Sequence, residues 1–394
     1  MNIVLDNIIF SLQKSGGITV VWKEFLTRLC VIPKLNIYLI NYTNSNVSIR
    51  QQKVDQDIVN LTCKNINEIV RKAFFFRLKR YINPRIPLKE QFIFHSSYYR
   101  TSSSKYAINI TTVHDFTYEY FSHGLKRMVH CWQKYRAIRR SDYIICISNN
   151  TKADLLKFLP EINCDKIKVV YNGVSDDYFV IHDENKRTSN LPFLTDTYVL
   201  FVGGRAGYKN FQLVVDAIFE TSLNLVIVGG LLTGKERFYL EEKLGSRYKY
   251  VGNISNIQLN ILYNNAFCLL YPSAYEGFGI PVVEAQKAGC PVIAYNNSSI
   301  PEIIGDSSLL IDNLSVNDIN EKISLLLDKS VREEIVKRGL QNAQRFTWEK
   351  NNKQIYDIYR FEKGQRCKKC MELIDWLLDL NYNENFSYNC YLQQ

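Results

Sequence analysis

The stretch from Ala266 to Ala294 narrows this chain to a parallel α/β fold. Two runs, Ala266-Phe267-Cys268-Leu269-Leu270 and Cys290-Pro291-Val292-Ile293-Ala294, are apolar and short enough for buried strands. Between them Gly277 and Gly279 break the pattern. Pro281 stands where a first helical residue would, and Gly289 where a helix stops. Strand, glycine loop, short helix, strand is the unit of a parallel sheet covered by helices. The unit carries two carboxylates, Glu276 in the loop and Glu284 about one turn into the helix. The N–H groups of Phe278, Gly279 and Ile280 fall at a helix N-terminus, where backbone donors are free for hydroxyl or phosphate oxygens. Glu276 can accept hydrogen bonds from sugar hydroxyls, and Glu284 can bind a ribose diol. The plainer alternative is that the glycines only shape a turn and Glu284 only complements the helix dipole.

At 394 residues the chain is too long for one ordinary core and suits two domains. Composition is globular, with 46% apolar and 22% charged residues. No apolar run reaches the roughly 18 to 20 residues of a membrane span. The opening MNIVLDNIIF carries Asp6 and no cationic region, so it reads as a first strand, Asn2 to Phe10, rather than a signal peptide. A cytoplasmic protein with reduced thiols is expected, since Cys30, Cys146 and Cys268 sit singly in apolar runs. Cys367 and Cys370 form one CxxC with no second pair, which argues against zinc.

The net charge of +10 calls for an anionic partner, and it is clustered. Arg71 to Lys89 holds seven basic residues and no acid, interleaved with Phe74, Phe75, Phe76 and Tyr81. Lys126 to Arg140 adds six more basics with Trp132 and Tyr135. Basic and aromatic residues together suit a peripheral membrane contact. A solvated basic face that also covers apolar surface with Lys and Arg stems is the even alternative. Nucleic acid is not expected, because no groove-reading helix or RNA-binding aromatic motif is present.

Along the first half, Gly16 and Gly17 follow the first strand and open a helical pattern through Leu29, a turn that can set backbone N–H groups against a diphosphate. Asn36 to Asn41 is a strand and Asn44 to Arg50 a polar loop. Gln91 to Phe94 is a strand leading into His95-Ser96-Ser97-Tyr98-Tyr99-Arg100, where His95, Ser96, Tyr98 and Arg100 could line an acceptor pocket or be ordinary loop surface. Strand Ile108 to Val113 ends at His114-Asp115, and a His at that end of a doubly wound sheet points into the ligand crevice. Tyr143 to Ile147 is a buried strand, Ser148 caps a helix running to about Leu159, and Ile167 to Tyr171 precedes an Asn172-Gly173 turn.

Asp183 to Asn190 is the linker candidate. Strand Tyr198 to Val202 then runs into Gly203-Gly204-Arg205-Ala206-Gly207-Tyr208-Lys209-Asn210, where two flexible glycines followed by two cations suit a pyrophosphate. Leu223 to Val228, ending in Gly229-Gly230, and Tyr250 to Asn253 are a further strand and a short strand and turn. Asn296 to Ser299 begins a loop, and Phe346-Thr347-Trp348-Glu349 opens an amphipathic helix with Ile355, Ile358 and Tyr359 on one face. Met371 to Leu380 reads as a short helix in a tail, 361–394, without a usable motif.

The string YPSAYEGFGIPVVEAQKAG, Tyr271 to Gly289, resembles the Glu-x7-Glu signature of the retaining GT-B glycosyltransferases of family four. Thr112-Val113-His114-Asp115 resembles that family's Thr-x-His-Asp string, and IICISNNTKADLL with KIKVVYNGVSDDYF the close of its first domain. The resemblance implies two Rossmann-like domains facing across a cleft. Residues 1-180 would bind acceptor, 181-194 would link, 195-348 would bind donor, and 349-394 would be a helix and tail returning towards the first domain. It implies a metal-independent, cofactor-free transfer of hexose, with retention, from GDP-mannose or a UDP-hexose to a glycan or lipid-linked acceptor in surface polysaccharide assembly. Glu276 would touch the transferred sugar and Glu284 the ribose. Gly16, Gly17, Gly204 and the loop N–H groups would face the donor, and His114 the sugar or acceptor. Lys209 falls on the family's usual Lys. The usual Arg positions hold Tyr208 and Gly204, so Arg205 would act from beside them. No Asp-x-Asp string stands at a strand end to hold a metal. Rival readings are a sugar-nucleotide epimerase of the same fold, a nucleic-acid-binding protein and a non-catalytic sugar-binding subunit.

Overall fold

The computed structural model describes residues 1–13, 16–30, 32, 35–43, 66–72, 80–182, 191–306 and 308–361. The 44–50 loop, the 183–190 linker, Phe74 to Phe76, the CxxC and the helix expected at 371–380 lie outside the described residues. Met1–Asn352 form one compact unit, and Lys353–Gln394 a second, described only over 353–361 as the continuation of the last helix.

The first unit contains two parallel sheets. One has seven strands: β1 (Asn2–Asp6), β2 (Asn36–Thr43), β3 (Ile66–Lys72), β4 (Phe92–Ser96), β5 (Ala107–Val113), β6 (Tyr143–Cys146) and β7 (Ile167–Val169), in the order β3-β2-β1-β4-β5-β6-β7. The other has six: β8 (Tyr198–Val202), β9 (Asn224–Val228), β10 (Tyr248–Gly252), β11 (Cys268–Tyr271), β12 (Val292–Tyr295) and β13 (Leu310–Ile311), in the order β10-β9-β8-β11-β12-β13. The described helices are α1 (Ile9–Leu12), α2 (Gly17–Leu29), α3 (Thr117–Phe121), α4 (Gly124–Arg140), α5 (Asn149–Phe158), α6 (Phe211–Phe219), α7 (Gly234–Leu244), α8 (Asn256–Asn265), α9 (Ile280–Lys287), α10 (Ile300–Ile304), α11 (Val316–Leu325), α12 (Lys329–Ala343) and α13 (Trp348–Phe361). This is the GT-B architecture. Strand order reverses between β1 and β4 and again between β8 and β11, and at such switch points an open sheet leaves a crevice beyond its strands' carboxyl ends.

Burial explains why these segments are strands. β1 and β4 are buried at every residue, and Leu225 to Ile227 and Cys268 to Leu270 are fully enclosed. A strand covered on both faces by helices is read as a continuous apolar run. The local punctuation also holds. Ser148 Oγ accepts the Thr151 N–H at 3.0 Å to cap α5, Pro281 sits in the first turn of α9, and Gly279 precedes it at φ +92°.

The first strand is shorter than its apolar run. β1 ends at Asp6, and Ile9–Leu12 turn into helix. Asp6 is fully buried. Its carboxylate accepts from Ser96 Oγ (2.9 Å) and Tyr42 Oη (2.9 Å) and pairs with Arg100 Nη1 (3.2 Å). For the same reason β4 continues through His95 and Ser96, beyond the end expected at Phe94.

The chain returns to its first half at the opening of α13. Val174 N–H donates to Phe346 O at 3.1 Å, and a Cβ on Gly173 would lie 2.3 Å from Trp348 N. Gly173 is therefore required by a backbone crossing as well as by a turn.

Candidate active site

Two loops meet at the switch point of the second sheet, one after β8 (Gly203 to Asn210) and one after β11 (Pro272 to Gly279). They are joined by the Ala274 N–H donating to Tyr208 O (2.7 Å) and Asn210 Nδ2 donating to Pro272 O (2.7 Å). The junction brings Lys209 Nζ onto Glu276 Oε1 as a partly buried ion pair, with the ammonium 5.6 Å from the Tyr271 ring centroid. The cation assigned to the diphosphate and the carboxylate assigned to the sugar thus lie within one hydrogen bond of each other. The loop after β12 supports Glu276: its N–H donates to Ser298 Oγ (2.9 Å), and Ser299 Oγ donates to its carbonyl (2.9 Å). The sequence had marked that polar quartet, Asn296 to Ser299, only as the start of a loop.

Glu284 lies one turn into α9. Tyr263 Oη donates to its Oε2 at 3.1 Å, and Tyr178 adds a second hydrogen bond. Burial pushes the carboxyl up to about 7, against the pull of those two phenols. The N–H groups of Phe278, Gly279 and Ile280 have no hydrogen-bond partner among the described residues and open the helix as expected. Gly204 is exposed with nothing near it, and Gly16 and Gly17 stand at the N-terminus of α2.

Arg205 sits otherwise than a diphosphate cation would. Its side chain is only 6% exposed. Nε donates to Glu236 Oε1 (2.9 Å), and Nη2 to the carbonyls of Gly230 (2.7 Å) and Leu231 (2.6 Å). It ties the loop after β9 to the start of α7. Its Nη1 is buried with no partner among the described residues.

The first half reaches this loop directly. Tyr275 Oη donates to Asp154 Oδ2 (2.6 Å) and accepts the Phe116 N–H (3.0 Å), so a side chain of the second half is buried among residues of the first. Thr151 Oγ1 donates to Gly277 O at 3.2 Å, and a Cβ on Gly277 would fall 1.9 Å from the His114 carbonyl oxygen. Gly277 is thus demanded by the approach of His114, where the sequence suggested the approach of a ligand. The His114 imidazole, brought down to about 4 by burial, is neutral near pH 7 and can exchange hydrogen bonds with hydroxyls without adding charge. Glu302, on α10, accepts the first N–H groups of α5 at Asn149 (3.1 Å) and Asn150 (2.9 Å), a carboxylate on a helix N-terminus. Tyr275, Asp154, Thr151 and Glu302 were not singled out by the sequence, because each acts through a partner more than 100 residues away.

The proposed acceptor residues need correction. His95 is 1% exposed, with Nε2 2.9 Å from Thr112 Oγ1, and burial lowers its imidazole to about 3. Ser96 and Arg100 are spent on Asp6, and Arg100 Nη1 also meets Tyr42 Oη at 2.7 Å. These three are interior residues, neither loop surface nor an open pocket wall. Of the four, Tyr98 retains some surface, and its hydroxyl accepts from Arg80 Nη2 at 3.1 Å. Elsewhere among the described residues, Glu119, His130 and Cys131 bring ligand-type atoms within 4.8 Å of one another, but the buried Lys134 ammonium already meets Glu119 Oε2 at 2.8 Å.

Residues 182–337 match the family model described as Glycosyl transferases group 1, and residues 62–178 that described as Glycosyltransferase Family 4. Across both halves the chain is similar to the family-four glycosyltransferases. Among its relatives, it is 28% identical over 270 residues to O-antigen chain mannosyltransferase B of Escherichia coli, an alignment covering 64% of this chain and 70% of that one. It is 26% identical over 207 residues to O-antigen chain mannosyltransferase RfbU of Salmonella typhimurium, covering 51% of this chain and 56% of that one. Among solved structures it resembles HepE of Anabaena in complex with UDP and glucose, with TM-score 0.66, 15% identity, and coverage of 91% of this chain and 99% of that one. That last likeness concerns the fold alone.

Proposed function

We propose that this glycosyltransferase moves a hexose, with mannose the first candidate, from a nucleoside diphosphate sugar to a glycan or lipid-linked acceptor, with retention of anomeric configuration and without a metal or cofactor. The observation that carries the reading is the meeting of Lys209, Glu276, Glu284 and the N–H groups of Phe278, Gly279 and Ile280 around one switch point. The mannosyl donor and a role in O-antigen assembly are suggested by the names of the two O-antigen relatives. No helix among the described residues is long and apolar enough to cross a membrane.

In this reading Glu284 accepts the ribose hydroxyls. The diphosphate takes the Lys209 ammonium from Glu276, as opposite charge placed where negative charge develops favours departure. Glu276, so released, accepts sugar hydroxyls with His114 beside it. Arg205 shapes the loop after β9, while Gly16, Gly17 and Gly204 leave room at the phosphates. The bond from C1 to the leaving phosphate oxygen breaks as the bond from C1 to the acceptor oxygen forms on the same face. The acceptor's proton passes to the departing phosphate. The acceptor would come from the first half, where Tyr98 is the candidate with exposed surface.

The deciding experiment incubates the full chain with GDP-mannose and UDP-hexoses in turn, with a lipid-linked oligosaccharide and with chelator present. Proton NMR of the product reads the new linkage. Transfer with the donor's own anomeric configuration is expected. An inverted linkage, a requirement for added metal, or donor consumed without acceptor into an epimer would overturn the reading.

A further inference from the structure

Helix α4 presents an unusual outer surface. Its 17 residues contain Lys126, Arg127, Lys134, Arg136, Arg139 and Arg140 and no Asp or Glu. Its second half is anchored: Gln133, Lys134, Ala137 and Ile138 are buried. In its first half His130 is buried too, stacked on Tyr118 at 3.7 Å, but the opposite face is open. Leu125 is 78% exposed, Met128 66%, Val129 42% and Trp132 53%. Their spacing of i, i+3, i+4 and i+7 puts them on one helical face. Single exposed apolar side chains are ordinary, but four on one face mark a contact surface.

The charges around the stripe select its partner. Lys134 is spent on Glu119 and Arg139 on Glu161. Lys126, Arg127, Arg136 and Arg140 have no acidic partner among the described residues, and the Arg136 guanidinium lies 5.2 Å from the Trp132 ring centroid, at the edge of the stripe. An apolar stripe edged by cations matches a surface that is negative at its face and apolar beneath. A second copy of this chain would instead oppose like charges.

We propose that the first half of α4 docks onto an anionic lipid surface, with Leu125, Met128, Val129 and Trp132 entering the boundary between headgroups and acyl chains while Lys126, Arg127, Arg136 and Arg140 meet lipid phosphates. Its purpose rests on the lipid-linked acceptor proposed above, but the docking itself requires no donor. The surface is close to the reaction. His114 and Asp115 lead through α3 into α4, and Phe121, at the end of α3, stacks on Tyr208 of the donor loop at 4.9 Å. A lipid-borne acceptor held under α4 would have only a short distance to travel to the cleft.

The test is cosedimentation of the full chain with phosphatidylcholine vesicles, with and without about one third phosphatidylglycerol. It is repeated for Leu125→Glu with Met128→Glu and for Lys126→Gln with Arg127→Gln. Binding to the mixed vesicles should exceed binding to the neutral ones. The first pair should lower it tenfold or more, and the second about thirtyfold, at about 1 kcal/mol for each of the two basic residues removed. Both variants should keep the wild-type melting temperature and rate on a water-soluble acceptor. Equal binding to both vesicles, no binding, or variants that bind as wild type would overturn the proposal. So would a dimer that the Leu125→Glu, Met128→Glu variant dissociates, which would assign the stripe to a second copy. Vesicle binding without sugar transfer would count against the proposed function and leave the docking surface standing.

Discussion

Glu284 should make donor binding depend on pH in a calculable way. Its carboxyl is raised from the model-compound 4.5 to about 7 by burial. A ribose diol donating hydrogen bonds to it would favour the ionised form. The ionised fraction is then about 0.9 at pH 8, about 0.5 at pH 7 and about 0.1 at pH 6, so affinity for a sugar nucleotide should fall about tenfold from pH 8 to pH 6, or ~1.4 kcal/mol. It should fall by about another tenfold for the next unit, until the carboxyl of the complex itself titrates. Binding at pH 7 should release about half a proton. Titration calorimetry in two buffers of different ionisation enthalpy measures both quantities. The ligand should be the intact sugar nucleotide, because a free nucleoside diphosphate has a terminal phosphate that titrates in the same window. His114 and His95, at about 4 and about 3, stay neutral throughout. In Glu284→Gln both the slope and the proton release should vanish. A wild-type affinity that is flat from pH 6 to 8, or an unchanged slope in Glu284→Gln, would refute the reasoning.

The same shift predicts stability with the sign reversed. A carboxyl raised on folding stabilises the protein below pH 4.5 and loses that contribution as pH rises through about 7, a change of about 3 kcal/mol; urea melts should show this slope in wild type and not in Glu284→Gln. Lys209→Ala removes the charge facing the diphosphate and should lower kcat/KM by about 100- to 1000-fold, whereas Arg205→Lys should act mainly through the KM for donor, as steady-state kinetics on both variants would show. Tyr275→Phe strands the buried Phe116 N–H and takes one donor from Asp154, which should cost about 1 to 3 kcal/mol in a denaturant titration. Gly277→Ala sets a methyl 1.9 Å from the His114 carbonyl and must push the halves apart, so transfer should fall at least about tenfold; activity equal to wild type would show that the contact is dispensable.

What the sequence made legible follows from the physics of parallel sheets. A strand buried on both faces needs an unbroken apolar run, and a strand-to-helix turn needs Gly, Pro or a capping hydroxyl, so β8, β11, α5 and α9 could be placed from residues alone. Asp6 shows where this stops. Asn7 to Phe10 continue the apolar run, but the partners that end the strand at Asp6 (Tyr42, Ser96 and Arg100) are 36, 90 and 94 residues away. His95 and Arg100 were misread for the same reason, since a polar string after a strand looks the same whether it faces water or a buried carboxylate. Arg205 stands beside the positions where a diphosphate cation is expected, and its engagement by Glu236 depends on where α7 begins. The glycine at 277 was recognised as a close approach, but whether a ligand or another backbone approaches is not encoded locally.

The site's two halves are mechanically one. Glu276 is flanked by Tyr275, anchored on Asp154 and Phe116, and by Gly277, pressed on His114 and bonded to Thr151. The carboxylate assigned to the sugar is thus held on both sides by the domain assigned to the acceptor, while its own charge is held by Lys209. A diphosphate reaching Lys209 must compete with Glu276 for the ammonium, and its greater charge favours it at equal distance. The carboxylate left behind has its backbone fixed by Ser298 and Ser299 and its neighbours fixed across the cleft, so it gains a free acceptor without gaining freedom to move. Asp154→Asn should therefore impair transfer without contact to either substrate, through a Tyr275 that no longer donates to a charged acceptor. The loss should appear in kcat more than in the KM for donor, because Glu284 and Lys209 are untouched. A loss confined to KM would place the coupling in donor binding and refute this account.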